Sequence, residues 1–150
     1  MTSRTTTSPE ETSAFGRELA ATLHRGDVVA LVGDLGSGKT QFVKGVCSVF
    51  DVRTPVTSPT FVLLNRYDAR DATYREFQIY HLDLYRVRSL NEIYDLGYEE
   101  IVNGDGICLV EWAEVLDGLL PPRRTEVRFR HGERETLRHI DIERFPPEDR

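Results

Sequence analysis

A glycine-rich segment between an apolar run and a helical pattern constrains the fold of this chain more than any other feature. Residues 33–40 read GDLGSGKT and match the pattern G-x-x-x-x-G-K-[ST] at every fixed position. The preceding residues 27–32 are mostly apolar and β-branched, which predicts a short buried strand. The apolar residues between 42 and 50 recur with helical spacing, which predicts a helix from about Lys39. A strand, a glycine turn and a helix in this order are the context that such a motif requires.

The motif predicts a cradle for nucleotide phosphates. Glycines let the turn curl until successive backbone amides face a β-phosphate, and the following helix adds its positive end. Lys39 is expected to reach the β- and γ-phosphates, and the Thr40 hydroxyl to bind Mg²⁺. A chance match in an ordinary turn is the alternative, and the strand–turn–helix context argues against it. The predicted phosphate-binding residues are Gly33, Gly36, Ser37, Gly38, Lys39 and Thr40.

Two acidic residues near the ends of predicted strands are candidates for metal binding and catalysis. Asp83 lies in QIYHLDLYR, and Glu111 closes the apolar run ICLVE. A phosphate site of this kind needs a strand-end carboxylate for Mg²⁺ or its waters. Either residue could hold the metal while the other orients or deprotonates the attacking water, and the sequence leaves the two roles open. The ordinary alternative is a solvated carboxylate at each strand end.

The loop at residues 57–60, TSPT, separates the phosphate helix from the next predicted strand. In nucleotide switches such a loop can lend a hydroxyl to the metal that binds the γ-phosphate. Thr60 is the first choice for that role and Ser58 the second. A rigid turn containing Pro59 explains the same residues without any function.

Three further side chains have both a functional and an ordinary structural interpretation. His81 and Asp83 share one face of a predicted strand, which allows a catalytic pair, but a hydrogen-bonded structural histidine is the preferred interpretation. Trp112 could stack on a base or a partner, or fill the core. Arg134 lies near a predicted hairpin turn, where it could approach phosphates or remain solvated.

Capping signals mark the remaining helices. In two places a serine is followed three residues later by glutamate, which is the spacing of a capping box. Gly97 stands where a left-handed helix end is expected. The predicted helices, besides the one from Lys39, run from Ser8 to near Gly26, from Ser89 to Gly97 and over residues 98–102.

The alternation of strands and helices predicts an α/β class. We expect a single P-loop NTPase-like domain over residues 1–150, with three layers and residues 1–7 frayed. Its central sheet should be mainly parallel, with antiparallel strands added by a C-terminal hairpin that turns at Gly132. The predicted strands, besides residues 27–32, are 61–67, 76–84 (joined by a polar connection, 68–73), 107–110, 125–131 and 137–142.

Composition excludes several classes of protein. The chain has 150 residues, with 19 Lys and Arg against 25 Asp and Glu, so its formal charge is −6. This balance argues against autonomous nucleic-acid binding, which usually needs a basic face. The longest apolar run, residues 28–32, is far short of the roughly 20 residues that cross a bilayer. The N-terminus has no apolar core typical of a signal peptide, and two widely separated cysteines suggest a reducing cytosol.

The sequence also favours one nucleotide. Guanine-specific switches usually carry N-K-x-D, and neither Lys39 nor Lys44 follows an asparagine, so GTP is disfavoured and ATP is the expected ligand. A small-metabolite kinase would usually need an arginine cluster. Arg66, Arg70 and Arg75 are spaced through one region, so the kinase alternative stays open.

Several motifs occur together in the order of a known family. GDLGSGKT is followed by SPTF at 58–61, HLDLYR at 81–86, Gly97 with two glutamates after it, and LVEW at 109–112. This pattern resembles the bacterial tRNA threonylcarbamoyladenosine biosynthesis ATPase family, TsaE, over about residues 10–142. The P-loop is shared by many families, but HLDLYR with LVEW at this spacing is specific.

The resemblance implies a small cytosolic P-loop ATPase that binds ATP or ADP with Mg²⁺. Its partners would be the subunits of the threonylcarbamoyl-transfer complex, of the TsaB and TsaD type, with tRNA reached only through them and no membrane involved. Hydrolysis in this family supports repeated turnover of that complex. The alternative to an ATPase is a protein without catalytic activity, which senses ATP or ADP or acts as a scaffold of the same complex.

The resemblance also assigns roles residue by residue. It implies phosphate binding at residues 36–41, Mg²⁺ binding at Thr40 and Glu111, and an active-site role for Asp83. Arg134 would touch the nucleotide. Gln41 departs from the family, which commonly has threonine there, but its amide can still donate to a phosphate. The residue near the base would be Glu10 or Thr12.

Overall fold

The strands of the described residues form one seven-stranded sheet. The computed structural model describes residues 1–34, 38–59, 63–116 and 118–146. Its helices are α1 (Pro9–Ala20), α2 (Lys39–Val49), α3 (Leu90–Asp95) and α4 (Tyr98–Val102), with a 3₁₀ turn at Ala113–Leu116. Its strands are β1 (Thr2–Thr6), β2 (Val28–Gly33), β3 (Leu64–Arg70), β4 (Glu76–Asp83), β5 (Ile107–Glu111), β6 (Arg124–His131) and β7 (Arg138–Phe145).

The sheet is parallel in its centre and antiparallel at both sides. Its order is β1-β7-β6-β2-β5-β4-β3. Strands β6, β2, β5 and β4 pair in parallel, whereas β3 pairs antiparallel with β4, β7 with β6, and β1 with β7. The predicted α/β class, the mostly parallel centre and the antiparallel C-terminal hairpin are therefore confirmed.

Helices cover both faces of the sheet, because the central strands are apolar on both sides. Along β2, Val29 and Leu31 pack in one core cluster with residues of α1 and α2. Val28 and Ala30 point the other way, into a second cluster with residues of α3 and α4. A strand buried on both faces shows a continuous apolar run rather than alternation, which is the pattern that predicted it. None of the described helices is long and apolar enough to cross a membrane.

The N-terminal region differs from its prediction in two ways. Residues 1–7 were expected to be frayed, and this is wrong, because β1 pairs along β7 and buries Thr6. The first helix ends at Ala20 rather than near Gly26. The hydroxyl of Thr22 donates to the Leu19 carbonyl at 2.7 Å, and such local bonds compete with the helical ladder at its end.

The middle of the chain has a longer antiparallel pair than predicted. Residues 68–70 continue β3 rather than starting the polar connection, because their alternation buries Tyr67 and Ala69 against the core. The connection is residues 71–75, where the Asp71 carboxylate accepts from the amides of Thr73 and Arg75. The first two residues of the predicted strand, 61 and 62, lie outside the described residues.

The two serine caps behave differently. Ser8 Oγ accepts from the Glu11 amide at 3.1 Å, as predicted for the start of α1. Ser89 stands at the N-cap of α3, but its side chain makes no capping bond, so the expected capping box does not form there. Gly97 takes the left-handed conformation that was predicted, with φ of 82°, and leads into α4.

Two glycines let α1 and α2 pack closely. A Cβ atom on Gly45 would lie 1.9 Å from the Ser13 carbonyl oxygen, and one on Gly16 would lie 2.3 Å from that of Phe42. Only a residue without a side chain fits at either position. This close contact packs the middle of α1 against the middle of α2, and the first residues of both helices line the candidate site.

Replacing Gly45 with alanine is expected to lower the free energy of unfolding by about 1–3 kcal/mol, which is typical of overpacking. The clash with the Ser13 backbone outweighs the gain in helix propensity of roughly 1 kcal/mol. Urea denaturation followed by circular dichroism measures the difference. Lys44→Ala, an exposed change on the same helix, serves as the control, and a Gly45→Ala protein as stable as wild type would contradict the argument.

Candidate functional site

The carboxyl ends of three parallel strands meet at one edge of the sheet. Strand β2 ends at Gly33, β4 at Asp83 and β5 at Glu111. In the strand register Asp83 stands beside Glu111, and Glu111 beside Leu31. Ligands of open α/β sheets bind outside this edge. A cleft of about 450 Å³ lies here, lined by Ser8, Pro9, Thr12, Gly38, Lys39, Thr40, Gln41, Ser58, Asp83, Glu111, Trp112, Glu135, Thr136 and Arg138.

The start of α2 forms one wall of the cleft. Gly38 precedes the helix with φ of 102°, a left-handed conformation that favours glycine. The first intrahelical bond runs from the Phe42 amide to the Gly38 carbonyl at 3.0 Å. The amides of Lys39, Thr40 and Gln41 therefore lie before the helical ladder begins and are oriented for an anion.

Lys39 holds its ammonium group inside the cleft. The residue is only 4% exposed, and Nζ donates to the Gly33 carbonyl oxygen at 2.5 Å. The same nitrogen lies 3.8 Å from the centroid of the Trp112 ring. Burial lowers the pKa of Lys39, while the charges of nearby carboxylates, Glu111 first among them, oppose that shift. The site thus holds one buried ammonium beside several carboxylates, and this cation is placed to face a phosphate group.

Glu111 is held by a buried histidine rather than by solvent. It is 3% exposed, and its Oε2 lies 2.5 Å from Nε2 of the fully buried His81. The expected preference for a structural, hydrogen-bonded His81 agrees with this geometry. The catalytic pair weighed for His81 and Asp83 is not formed, because the partner of His81 comes from the neighbouring strand.

Asp83 is half-buried beside Glu111. Its Oδ1 accepts from the Tyr85 amide at 3.1 Å. Burial raises the pKa of Asp83, and the charge of Glu111 adds to the increase, although the Tyr85 amide, His81 and Lys39 oppose it. Two adjacent carboxylates repel each other unless a cation lies between them. The position beside Asp83 and Glu111 is therefore suited to a cation.

This raised pKa predicts that Asp83→Asn stabilises the ligand-free protein at neutral pH. The unfolded aspartate is charged at pH 7, and the folded state disfavours that charge. Below the ordinary value of 3.8 the aspartate is protonated in both states, so the advantage of asparagine disappears as the pH falls through the folded pKa. Urea denaturation in EDTA at pH 7 and pH 3.5 measures both differences. A destabilised variant at pH 7 would contradict the sign.

The loop before β3 reaches the start of α2. Ser58 Oγ lies 2.6 Å from Thr40 Oγ1, so the second-choice residue of this loop touches the predicted Mg²⁺ ligand. Thr60, the first choice, lies outside the described residues, as do Gly36 and Ser37 of the cradle.

Both ends of the chain also contribute residues to the cleft. Thr12 on α1 lines it and is hydrogen-bonded to Thr6 at 2.7 Å, whereas Glu10 is not among the lining residues. The β6–β7 turn contributes Glu135 and Thr136, while Arg134 is not in the lining. The main-chain carbonyl of Arg134 accepts from the Leu137 amide at 3.1 Å.

Trp112 is a lining residue whose place the sequence left undecided. It follows β5 with φ of 58°, unusual for a non-glycine residue, and its ring lies 4.9 Å from that of Tyr85. It is partly exposed rather than filling the core. The sequence signal that places Trp112 in the site is its position directly after Glu111. Arg138 also lines the cleft, but the sequence has no comparable signal for it. Its place in the lining depends on β7 lying two strands away from β2.

The described residues contain no cluster of three or more His, Cys, Asp or Glu side chains that could hold a metal by themselves. A site made of Thr40, Asp83 and Glu111 would need oxygen ligands from elsewhere. Mg²⁺ in phosphate sites is usually bound in this way, by one or two carboxylates with waters and substrate phosphates.

The fold and the site together define an α/β protein with a lysine- and carboxylate-lined cleft at the carboxyl edge of its sheet. The family described as threonylcarbamoyl adenosine biosynthesis protein TsaE matches residues 6–144. The chain belongs to this family, which acts in tRNA threonylcarbamoyladenosine biosynthesis, and the resemblance seen in the sequence is confirmed.

Individual relatives agree with the family match. The TsaE protein of Rickettsia conorii is 45% identical over 126 residues, which cover 83% of this chain and 69% of the relative. That of Bacillus subtilis is 41% identical, over 81% and 73% of the two chains. That of Treponema pallidum is 37% identical, over 82% and 87%. The crystal structure of YdiB from Bacillus subtilis superposes with a TM-score of 0.73 at 33% identity, covering 93% of this chain and 82% of that chain.

Proposed function

We propose that this protein is a Mg²⁺-dependent ATPase of the P-loop NTPase type that supports turnover of a threonylcarbamoyl-transfer complex in tRNA modification. The observation that carries the proposal is the convergence of Lys39, Thr40, Asp83 and Glu111 at one edge of the sheet. It acts in the cytosol, with subunits of the TsaB and TsaD type as partners. The net charge of −6 fits a protein that reaches tRNA through those partners rather than by itself.

The residues present fit a nucleotide polyphosphate. The free amides at the start of α2 and the ammonium of Lys39 supply hydrogen bonds and positive charge along one wall. Thr12 and Pro9 at the start of α1 also line the cleft and offer a place for the nucleoside. Since Lys39 already donates to the Gly33 carbonyl and contacts Trp112, it has to exchange these partners for phosphate oxygens.

The residues present also fit Mg²⁺. Thr40 offers a hydroxyl, and Asp83 and Glu111 offer adjacent carboxylates whose mutual repulsion a cation would relieve. When bound, Mg²⁺ neutralises charge on the phosphates. Because His81 holds one oxygen of Glu111, this carboxylate has a fixed direction from which to orient water, while Asp83 is the less constrained of the two.

Calorimetric titration with ATP, ADP and GTP, each with Mg²⁺, tests the binding part of the proposal. We expect ATP and ADP to bind and GTP to bind more weakly. Absence of ATP and ADP binding would overturn the assignment of the site.

Turnover measured with γ-labelled ATP tests the catalytic part, with and without the partner complex. Release of inorganic phosphate, faster when the partners are present, is the expected result. Transfer of the label to a small acceptor would identify a metabolite kinase instead. Binding without turnover, even with the partners, would identify a sensor or scaffold.

A further inference from the structure

A buried chain of hydrogen bonds leads from the candidate site to the loop before β3. Nε2 of His81 lies 2.5 Å from Glu111 Oε2, and Nδ1 lies 3.1 Å from the hydroxyl oxygen of Tyr67. That hydroxyl lies 3.2 Å from the carbonyl oxygen of Thr57. The next residue, Ser58, is the one that contacts Thr40. The chain therefore connects a carboxylate on β5 with the start of α2 through three strands and a loop.

The two contacts of His81 lie inside the protein, away from solvent. His81 is fully buried and Tyr67 is 4% exposed. A buried polar group without a partner is costly, so each of these atoms is held to the bonds available to it. A carboxylate can only accept, so Nε2 of His81 donates to Glu111, and in the neutral imidazole Nδ1 is then the acceptor.

The hydroxyl of Tyr67 has one proton and two acceptors within reach. It can donate to Nδ1 of His81 or to the carbonyl of Thr57. The side-chain amide of Asn65 also donates to the Thr57 carbonyl, at 3.1 Å, so this carbonyl keeps a partner when Tyr67 turns to the histidine. The position of the loop thus decides which acceptor the Tyr67 proton uses, and with it how firmly His81 is held.

From this geometry we infer that His81 and Tyr67 are positioning residues that fix the direction of Glu111 and couple it to the 57–58 loop. A change at Thr40, through Ser58 and Thr57, alters the bond that Tyr67 gives to His81, and His81 in turn alters the direction of the Glu111 carboxylate. The inference deepens the proposed function and rests on it for its kinetic consequence, whereas its structural part holds for the protein without nucleotide.

Tyr67→Phe tests the inference because it removes one hydroxyl and leaves the ring. Tyr80→Phe is the matched control, since Tyr80 lies on β4 next to His81 but packs in the cluster on the other face of the sheet. In ¹⁵N spectra of the ligand-free protein, the His81 resonances are assigned by their loss in His81→Gln. We expect Tyr67→Phe to shift Nδ1 and Glu111→Gln to shift Nε2, with neither moved by Tyr80→Phe. Unmoved His81 resonances in the first two variants would overturn the inference whether or not the protein hydrolyses ATP.

Hydrolysis gives the second measurement. We expect Tyr67→Phe to lower kcat by about tenfold with KM unchanged, the size typical of a lost bond to a residue that orients a catalytic carboxylate. Tyr80→Phe should leave both constants at the wild-type values. If wild-type protein with its partners does not hydrolyse ATP, the proposed function fails and the spectra still decide the inference. If wild type is active and Tyr67→Phe has the same kcat, the inference fails and the proposed function stands.

Discussion

Replacing Lys39 with alanine is expected to lower ATP hydrolysis by about 100-fold or more, the loss that follows removal of a preorganised charge from a transition state. Lys39 is the one cation among the described residues whose ammonium is buried in the cleft between the two acids and the start of α2. Charge that develops on the transferred phosphoryl group would then lose the ammonium group that stabilises it. A steady-state assay of phosphate release with the partner complex present measures the effect.

The chain offers a matched control for this substitution. Its other lysine, Lys44, is exposed on α2, five residues further along the same helix. Lys44→Ala removes the same charge and the same number of atoms, so it should hydrolyse ATP at the wild-type rate. Wild-type hydrolysis by Lys39→Ala, in a variant that still unfolds cooperatively, would contradict the assignment of the site.

The parts of the site that the sequence predicted are those with signals within a few residues. The start of α2 at Lys39 follows from a glycine turn and a helical period, and the structure begins the helix at that residue. Glu111 follows an apolar run, and it ends β5. These signals are local because a strand end and a helix start depend mainly on the residues beside them.

The relations between strands had no local signal. That Glu111 stands beside Asp83, and that His81 bonds to Glu111 rather than to Asp83, depend on β5 lying next to β4. Spacing along a single strand could bring His81 and Asp83 to one face, but it says nothing about the neighbouring strand. The order of strands is a property of the whole sheet and is decided by long-range packing.

The first strand shows the same limit at the other end of the sheet. Residues 1–7 are rich in Ser and Thr and look like a loop, yet β1 pairs with β7, whose residues are more than 130 positions away. Threonine favours strands when a partner is available, so a strand was compatible with the composition. The sequence does not show which strand is that partner.

Glu111→Gln is expected to lower ATP hydrolysis by about 100-fold or more, as for the loss of a general base, while ATP affinity changes far less. Glutamine keeps the volume of the side chain, and its oxygen can still accept from His81 Nε2. The variant should therefore fold and keep the cleft, but it cannot accept a proton from water. Calorimetry for binding and phosphate release for hydrolysis separate the two effects.

The comparison with Asp83→Asn decides between the two roles that the sequence left open. If Glu111 orients the water and Asp83 serves the metal, Asp83→Asn raises the Mg²⁺ concentration needed for half-maximal hydrolysis, whereas Glu111→Gln lowers the rate even at saturating Mg²⁺. The reverse pattern would exchange the roles. Glu99→Gln, an exposed change on α4, is the control that should alter neither quantity. Wild-type hydrolysis by Glu111→Gln would show that this carboxylate takes no part in the reaction, because the substitution removes its charge and its capacity to accept a proton.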